Sequence, residues 1–506
     1  MTSSAPVVED LGSLCFVLHT HLPYVAHHGS WPVGEEWLHQ AWSHSYLPVV
    51  DLLNRLAEDG QRDVLSLGMT PILAAQLDDP YCLRSQHSWL GDWQARAAGL
   101  AGMREPFRRE AGGREYRAAT RALEQFESQW SHGASPVLRQ LSDSGVVEIL
   151  GGPLAHAFTP SLEDRWARAT LSAGLDDARL RLGRAPGGIW TPECAYRPGL
   201  DEVFRTVGVS HLMLEGPTLQ SAGATTDRPW LLGDTEVRVV GRDLPLAYRV
   251  WSPRRGYPGG RWYRDFHTFD HEWGFRLHRV TGKTIPPESK APYEPARAQE
   301  SIVRDAHDFV SAVRERLLEQ RARNGGRPGM AVVAYDTELF GHWWHEGPLW
   351  LEEVLRQLPA AGVTPRSIAR ALEVHDIAGR VHPGEGSWGS GKDFRVWNSP
   401  NTADLRDRQD RATRRVKDEL ANLNSLVRHH RADQLITSLL LGLASDWVFM
   451  VEKNSAADYA RSRLRDHLDD VDRIIDDPSD TIWRVIAERD RPWGHVDARA
   501  FLSSSP

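Results

Sequence analysis

Cysteine is scarce. Only Cys15, Cys82 and Cys194 occur in 506 residues. An odd number without C-x-x-C spacing argues against a disulfide framework and a thiolate zinc site, and it suits a reducing cytoplasm. Long apolar runs are missing too. No stretch reaches the roughly 18 residues of a membrane-spanning helix, and the N-terminal MTSSAPVVEDLGS has no basic segment leading into an apolar one. Neither a membrane span nor export by this route is expected. Basic charge is not in surplus either: the formal net charge is -8, with both signs mixed along the chain, which speaks against a nucleic-acid partner.

Tryptophan is plentiful, with 20 against 11 tyrosines and 13 phenylalanines. Many lie in polar stretches, a placement that favours stacking on a ligand over filling a core. The length allows roughly two to four structural units. Seven strand-like runs recur, at 14–18, 64–67, 146–150, 188–190, 211–214, 237–240 and 330–334. Amphipathic helical stretches at 36–59, 163–182 and 295–323 separate several of them, and this alternation calls for a parallel sheet with crossover helices. A charged segment between Pro80 and Leu138 reads as helices inserted into one crossover. Between Gly241 and Lys290 the pattern breaks into Gly, Pro, Arg and aromatics, too long for an ordinary connection and suited to covering a cleft. After Val381 the strands stop, and 402–430, 432–443, 456–476 and 481–488 read as a helical tail.

The run Met330–Ala334 has the continuous apolar character of a strand buried on both faces. Asp336, Glu338, His342, Trp343, Trp344, His345 and Glu346 follow it, where α/β folds place their sites. Indoles beside carboxylates suit a sugar, whose C–H faces stack on rings while its hydroxyls seek polar groups. His19 and His21 follow the first strand and share a face. That spacing admits a sugar contact, a metal pair lacking an evident third ligand, or structural hydrogen bonds. His156 follows the third strand behind two glycines. Glu193 follows the fourth, behind Pro192, and admits a catalytic or a capping role. Two strand-end carboxylates, Glu193 and Asp336, are what glycosidic chemistry requires.

In order, HTHLPYVAHHGSWPVGEEW, EILGGPLAHAFTP, GIWTPECAYRPGL, AYDTELFGHWWHEG and GEGSWG resemble the five motifs of glycoside hydrolase family 57. Within that family the chain is most similar to the α-1,4-glucan branching enzymes, over nearly its whole length. The resemblance implies an α/β fold: a distorted (β/α)7 barrel at 1–80 and 138–385, a small helical insertion at 81–137 and an all-helical C-terminal domain at 386–506. It implies a retaining transfer of α-1,4-glucan to a 6-hydroxyl, with Glu193 as nucleophile and Asp336 as general acid/base. His19, His21 and His156 would line the sugar subsite, and Trp31, Trp37, Trp388 and Trp397 the glucan groove, with Trp251 and Asp446 as further binding residues. Donor and acceptor would be amylose, glycogen or a related polysaccharide, with no metal or organic cofactor and no nucleic-acid or membrane partner. An α-amylase or 4-α-glucanotransferase on the same residues is the nearest alternative. Branching enzymes of the family carry a tyrosine on a loop beside the cleft that keeps water from the intermediate, and Glu215–Asp243 here contains none. An appreciable hydrolytic side reaction is then expected, unless residues of the 241–290 stretch such as Tyr257, Trp262 or Tyr263 close over the intermediate instead.

Overall fold

The computed structural model describes residues 9–252, 255–421, 423 and 426–502. Seven parallel strands carry the fold: β1 (Gly12–Thr20), β2 (Leu65–Met69), β3 (Val147–Leu150), β4 (Gly188–Ile189), β5 (His211–Leu214), β6 (Arg238–Gly241) and β7 (Gly329–Asp336). Each coincides with one of the seven apolar runs. β1 pairs with β2 and β7, β2 with β3, β4 with β5, and β5 with β6. Single parallel bridges at Gly151–Ile189 and Arg242–Val332 join the remaining edges, so the sheet closes into a ring. These two one-bridge seams are where the barrel is distorted.

Alternation along the strands decides what faces inward. Cys15, Val17, Leu150, Met213, Val240, Met330, Val332 and Ala334 share one cluster, the barrel interior. The intervening Leu14, Phe16, Leu18, Ala331, Val333 and Tyr335 pack on the surrounding helices, with Phe309 and Trp350. Both faces are therefore apolar, which explains the uninterrupted runs. His19 continues the inward phase of β1 and Asp336 that of β7, and the two are register partners.

The crossover from β2 to β3 carries a helical hairpin, Pro80–Ala101 against Pro106–Gln125. The 295–323 helix forms as expected. The 36–59 stretch forms Glu35–Ala41 and Leu47–Glu58 with a π-helical turn, Trp42–Tyr46, between them. The tail comprises helices Ala403–Ala421, His430–Gly442, Ser445–Glu452, Ala457–Asp476, Asp480–Arg489 and Arg499–Leu502. Of the helix expected over 402–430, positions 422, 424 and 425 lie outside the described residues, as do 1–8 of the N-terminal stretch.

Three sequence expectations change. The 241–290 stretch is not all loop: Leu244–Val250 is helical, its start capped by Asp243, which accepts from the Leu246 N–H at 3.2 Å. Between the helices read at 432–443 and 456–476 the chain forms one more, Ser445–Glu452, opened by Ser445 and Asp446 after a turn at Leu443 and Ala444. Tryptophan also fills the core more than its polar neighbours suggest, since ten of the 20, Trp42, Trp344 and Trp350 among them, are buried. Short strands that were not anticipated add to the ring: Val363–Pro365 lies parallel to the start of β1, Trp230–Leu232 antiparallel to β6, and Arg380–Val381 parallel to Trp230–Leu232.

Candidate functional site

The C-terminal ends of the strands converge on Glu193. Pro192 leads the chain out of β4, and Glu193 (φ 63°) and Cys194 (φ 50°) then adopt left-handed backbone conformations, as does His156 (φ 56°) after β3. Such conformations cost non-glycine residues about 1–3 kcal/mol each, and proteins keep them where side-chain direction matters. The Glu193 carboxylate accepts from Ser445 Oγ at 2.6 Å and from the Trp388 indole N–H at 2.9 Å. The backbone of Trp388 donates to the Glu193 carbonyl as well, at 2.9 Å.

From Ser445 the network continues into the histidines. Ser445 Oγ lies 3.0 Å from His156 Nδ1, and His156 Nε2 lies 3.1 Å from His19 Nε2. His19 stacks on Trp190 at 4.4 Å, and His21 on His156 at 3.8 Å. His21 meets Asp446 at 3.0 Å and Thr70 Oγ1 at 3.0 Å. The imidazoles of His19, His21 and His156 thus supply three nitrogens within 4.8 Å of one another, a third ligand that spacing alone did not reveal. Yet His19 Nε2 and both His156 nitrogens are engaged with each other and Ser445, and both His21 nitrogens meet Thr70 and Asp446, while His19 Nδ1 is buried without a partner among the described residues. Burial is outweighed at His21 by Asp446, which raises the His21 pKa. Burial and the neighbouring histidines push His19 far below the ordinary range, and burial with His21 does the same to His156. Asp446 thus favours the protonated form of His21 while burial keeps His19 and His156 neutral, a set of donors and acceptors suited to hydroxyls.

Asp336 ends β7 half-buried and caps no helix, and its carboxyl has no hydrogen-bond partner among the described residues. Burial lifts it to about 6, with Asp446 adding to the rise and His21 and Arg242 opposing it. Burial and then Asp446 lift Glu193 to about 7, against the Ser445 and Trp388 hydrogen bonds and His21. The two carboxyls thus share His21 and Asp446 as electrostatic neighbours. Glu338 lies behind them, receiving the Tyr46 hydroxyl at 2.5 Å and the His21 backbone N–H at 3.3 Å.

Of the tryptophans expected at the site, Trp388 touches Glu193 directly. Trp31 is 67% exposed and Trp251 47% exposed, the latter stacked on Trp343 at 5.7 Å, so both offer indole faces to a ligand. Trp37 is half-buried, edge-on to Tyr459. Trp397 is buried, with Phe158 stacked on it at 4.7 Å and Phe449 at 6.4 Å, and it presents no free stacking face. The aromatic residues expected to close over the site are held elsewhere. Tyr263 is fully buried on Asp305 (2.7 Å), Tyr257 is bonded to Asp308, and Trp262 lies under Arg279.

Several site residues escaped the sequence reading. Arg242, immediately after β6, ties the Glu215 carboxylate (3.2 Å) to the Ala334 carbonyl (2.8 Å). Lys392 bonds the Trp388 carbonyl at 2.9 Å and lies 5.7 Å from the ring of exposed Tyr248. Strand-end position was the available signal for Glu215 and Arg242. Ser445 and Tyr248 had none.

Comparison with known proteins identifies the family. Residues 15–379 match the model of glycosyl hydrolase family 57, and residues 408–501 match that of the 1,4-α-glucan branching enzyme C-terminal domain. The chain is 48% identical over 488 residues to a probable 1,4-α-glucan branching enzyme of Mycobacterium tuberculosis, covering 92% of this chain and 91% of that one. The crystal structure of a branching enzyme from Pyrococcus horikoshii superposes with a TM-score of 0.92 at 30% identity, covering 98% of each chain. That of a family 57 branching enzyme from Thermococcus kodakaraensis, in complex with glucose and additives, gives 0.91 at 30% identity, covering 98% of this chain and 97% of that one.

Proposed function

The chain belongs to glycosyl hydrolase family 57, and from that premise we propose how its site carries out 1,4-α-glucan branching. The activity is transfer: an α-1,4 linkage is cleaved and the freed chain is joined to a 6-hydroxyl as an α-1,6 branch. Donor and product linkages are both α, so two displacements are required. Glu193 attacks C1 of the donor glucose while Asp336 protonates the departing 4-oxygen. Asp336 then takes the proton from the acceptor 6-hydroxyl as that oxygen displaces Glu193 from C1.

The observation that carries this division of roles is the contrast in hydrogen bonding. Glu193 receives two donors, Ser445 and Trp388, which favour its anion and fix its direction. Asp336 has no such donors and projects from the interior face of β7. Between the two ionisations one carboxyl is protonated. Burial lifts Glu193 to about 7 and Asp336 to about 6, the reverse of the order the chemistry needs. We assign the proton to Asp336 on geometry, because both Glu193 oxygens accept fixed donors and Asp336 accepts none among the described residues. We assign the imidazoles of His19, His21 and His156 to holding sugar hydroxyls, with Asp446 favouring the protonated form of His21. The exposed indole faces of Trp31 and of the Trp251–Trp343 pair supply stacking for a glucan such as amylose or glycogen. The three cysteines are buried and unpaired, and on that ground we place the enzyme in a reducing cytoplasm.

Incubation with amylose followed by linkage analysis tests the reading. New α-1,6 linkages are expected. Reducing ends in many-fold excess over branch points would make the protein an amylase. Glu193→Gln keeps the side-chain shape but removes the nucleophile, and it should cost at least about three decades of turnover. A near-wild-type rate in that variant would remove Glu193 from the chemistry.

A further inference from the structure

The inserted hairpin, the loop after β6 and the Pro295–Arg323 helix enclose a cavity of about 290 Å³ that shares no lining residue with the Glu193 network. Its walls are strongly unbalanced in charge. Five arginines line it against two carboxyl groups, Glu115 and Glu346. Glu115 is spent on Arg264, with which it forms an ion pair. Glu346 faces the backbone N–H of Arg264 at 3.0 Å, and burial raises it to about 7, so at neutral pH it offsets less than one full charge.

The other four guanidiniums have no carboxylate partner. Arg114, Arg117 and Arg121 fall at i, i+3 and i+7 of the Pro106–Gln125 helix and so share one face. None of them forms an ion pair or hydrogen bond among the described residues. Arg276 spends its Nε on the Phe266 carbonyl at 2.7 Å and lies over the Phe266 ring at 4.4 Å. Burial and then the charge of Arg264 lower Arg276 to about 10 and depress Arg114 as well. Like charges crowded around an open cavity raise the energy of the empty state, and a dianion offering several acceptor oxygens relieves it. The facing wall is different in kind, with Leu277, Ile302, Leu349 and the ring of Tyr293. That surface fits the carbon skeleton of a small molecule.

We propose that this cavity binds a small phosphomonoester, its phosphate held by Arg114, Arg117, Arg121 and Arg276 and its body seated on the apolar wall. A carboxylate would satisfy too little of this charge, and a neutral sugar none of it.

Calorimetric titration of the full-length protein tests the proposal, with ribose 5-phosphate as probe because the glucan site recognises glucose. Saturable binding below about 1 mM is expected, while ribose alone should not bind. Inorganic phosphate should bind at least about tenfold more weakly for want of the apolar contact. Arg117 and Arg121 are exposed, so Arg117→Ala with Arg121→Ala should leave the melting temperature unchanged and weaken binding at least about tenfold. The corresponding double lysine variant should retain most of the affinity. No saturation up to about 10 mM, or equal affinity in the alanine variant, overturns the site. Phosphate binding as tightly as the ester overturns its assignment to an ester. Because branching activity is not the readout, failure here leaves the roles of Glu193 and Asp336 untouched.

Discussion

At the Glu193 carboxylate, two donors and one unusual backbone conformation act on the same group. Ser445 Oγ and the Trp388 indole occupy one oxygen each, and the left-handed φ of 63° sets where those oxygens lie. Asp336, the register partner of His19, has no hydrogen-bond donor among the described residues, and burial together with the charges of His21, Arg242 and Asp446 sets its proton affinity. The pH dependence follows from the pair together. With the carboxyls raised to about 6 and about 7, the singly protonated pair forms as pH rises through the lower value. It is lost as pH rises through the upper one. We expect kcat/KM for branching to be bell-shaped, with its maximum between these two values. A profile flat from about pH 4 to 9 would contradict a shared-proton pair. Ser445→Ala removes a donor to the Glu193 anion and should move the lower limb, where Glu193 ionises, to higher pH.

At the scale of elements, the turn after β7 is positioned from outside the barrel. The π-helical turn Trp42–Tyr46 adds a residue to the helical repeat. It brings Ser45 Oγ to the Thr337 carbonyl (2.7 Å) and the Tyr46 hydroxyl to Glu338 (2.5 Å). Gly341 completes the docking. Its φ is +108°, and a Cβ there would lie 1.8 Å from the His44 carbonyl oxygen. Gly341→Ala must therefore separate these elements or distort the turn, at a cost of at least about 2 kcal/mol. Turnover should fall more than about tenfold while the far-ultraviolet circular dichroism stays native. Unchanged turnover would show that the turn does not control Asp336.

On the short helix Leu244–Val250, Tyr248 is the candidate for the aromatic hydroxyl that the 215–243 stretch lacks. Tyr248 is 44% exposed there and is linked through Lys392 to Trp388, the indole bonded to Glu193. Tyr257 and Tyr263, committed to Asp308 and Asp305, are not free to move over the cleft. Water at about 55 M competes with the acceptor for a glycosylated Glu193, so Tyr248→Ala should raise the ratio of new reducing ends to new branches. An unchanged ratio would locate the barrier to water elsewhere.

For the molecule as a whole, the helical tail is part of the site. Ser445 and Asp446 reach the histidines because the Ser445 N–H bonds the His156 carbonyl at 3.0 Å and Ala444 bridges to Ala157. Farther along, His28 of the barrel meets Asp490 of the tail at 2.7 Å, and the Tyr24 hydroxyl donates to the Arg489 carbonyl at 3.0 Å. Burial alone would raise Asp490, but the His28 hydrogen bond and the nearby His467 outweigh it and hold the carboxyl well below the ordinary range. A lowered folded pKa contributes stability above the unfolded aspartate value that is lost as pH falls toward the folded one. Asp490→Asn should therefore lower stability by about 3 kcal/mol near neutral pH. The gap from wild type should narrow below about pH 4. Denaturant midpoints at the two pH values measure both effects, and a gap independent of pH would exclude the Asp490 charge as its source.

What the amino-acid order determined by itself is periodic or local. Seven buried strands were legible because a strand covered on both faces must be continuously apolar, and the 295–323 helix because Pro295 opens it and its apolar positions recur at helical spacing. The strand-end placement of His19, His156, Glu193 and Asp336 was legible for the same reason. Tertiary structure alone decided what these residues touch. Ser445 and Glu193 stand 252 positions apart, and no local pattern encodes a contact made by docking a helical layer onto a barrel rim. Packing also decided that Trp397 is covered while Trp251 is open, since both indoles sit in similar polar sequence. The arginine cavity is of the same kind: the Arg114, Arg117 and Arg121 spacing reads as an ordinary solvated helix face until the 264–276 loop folds against it.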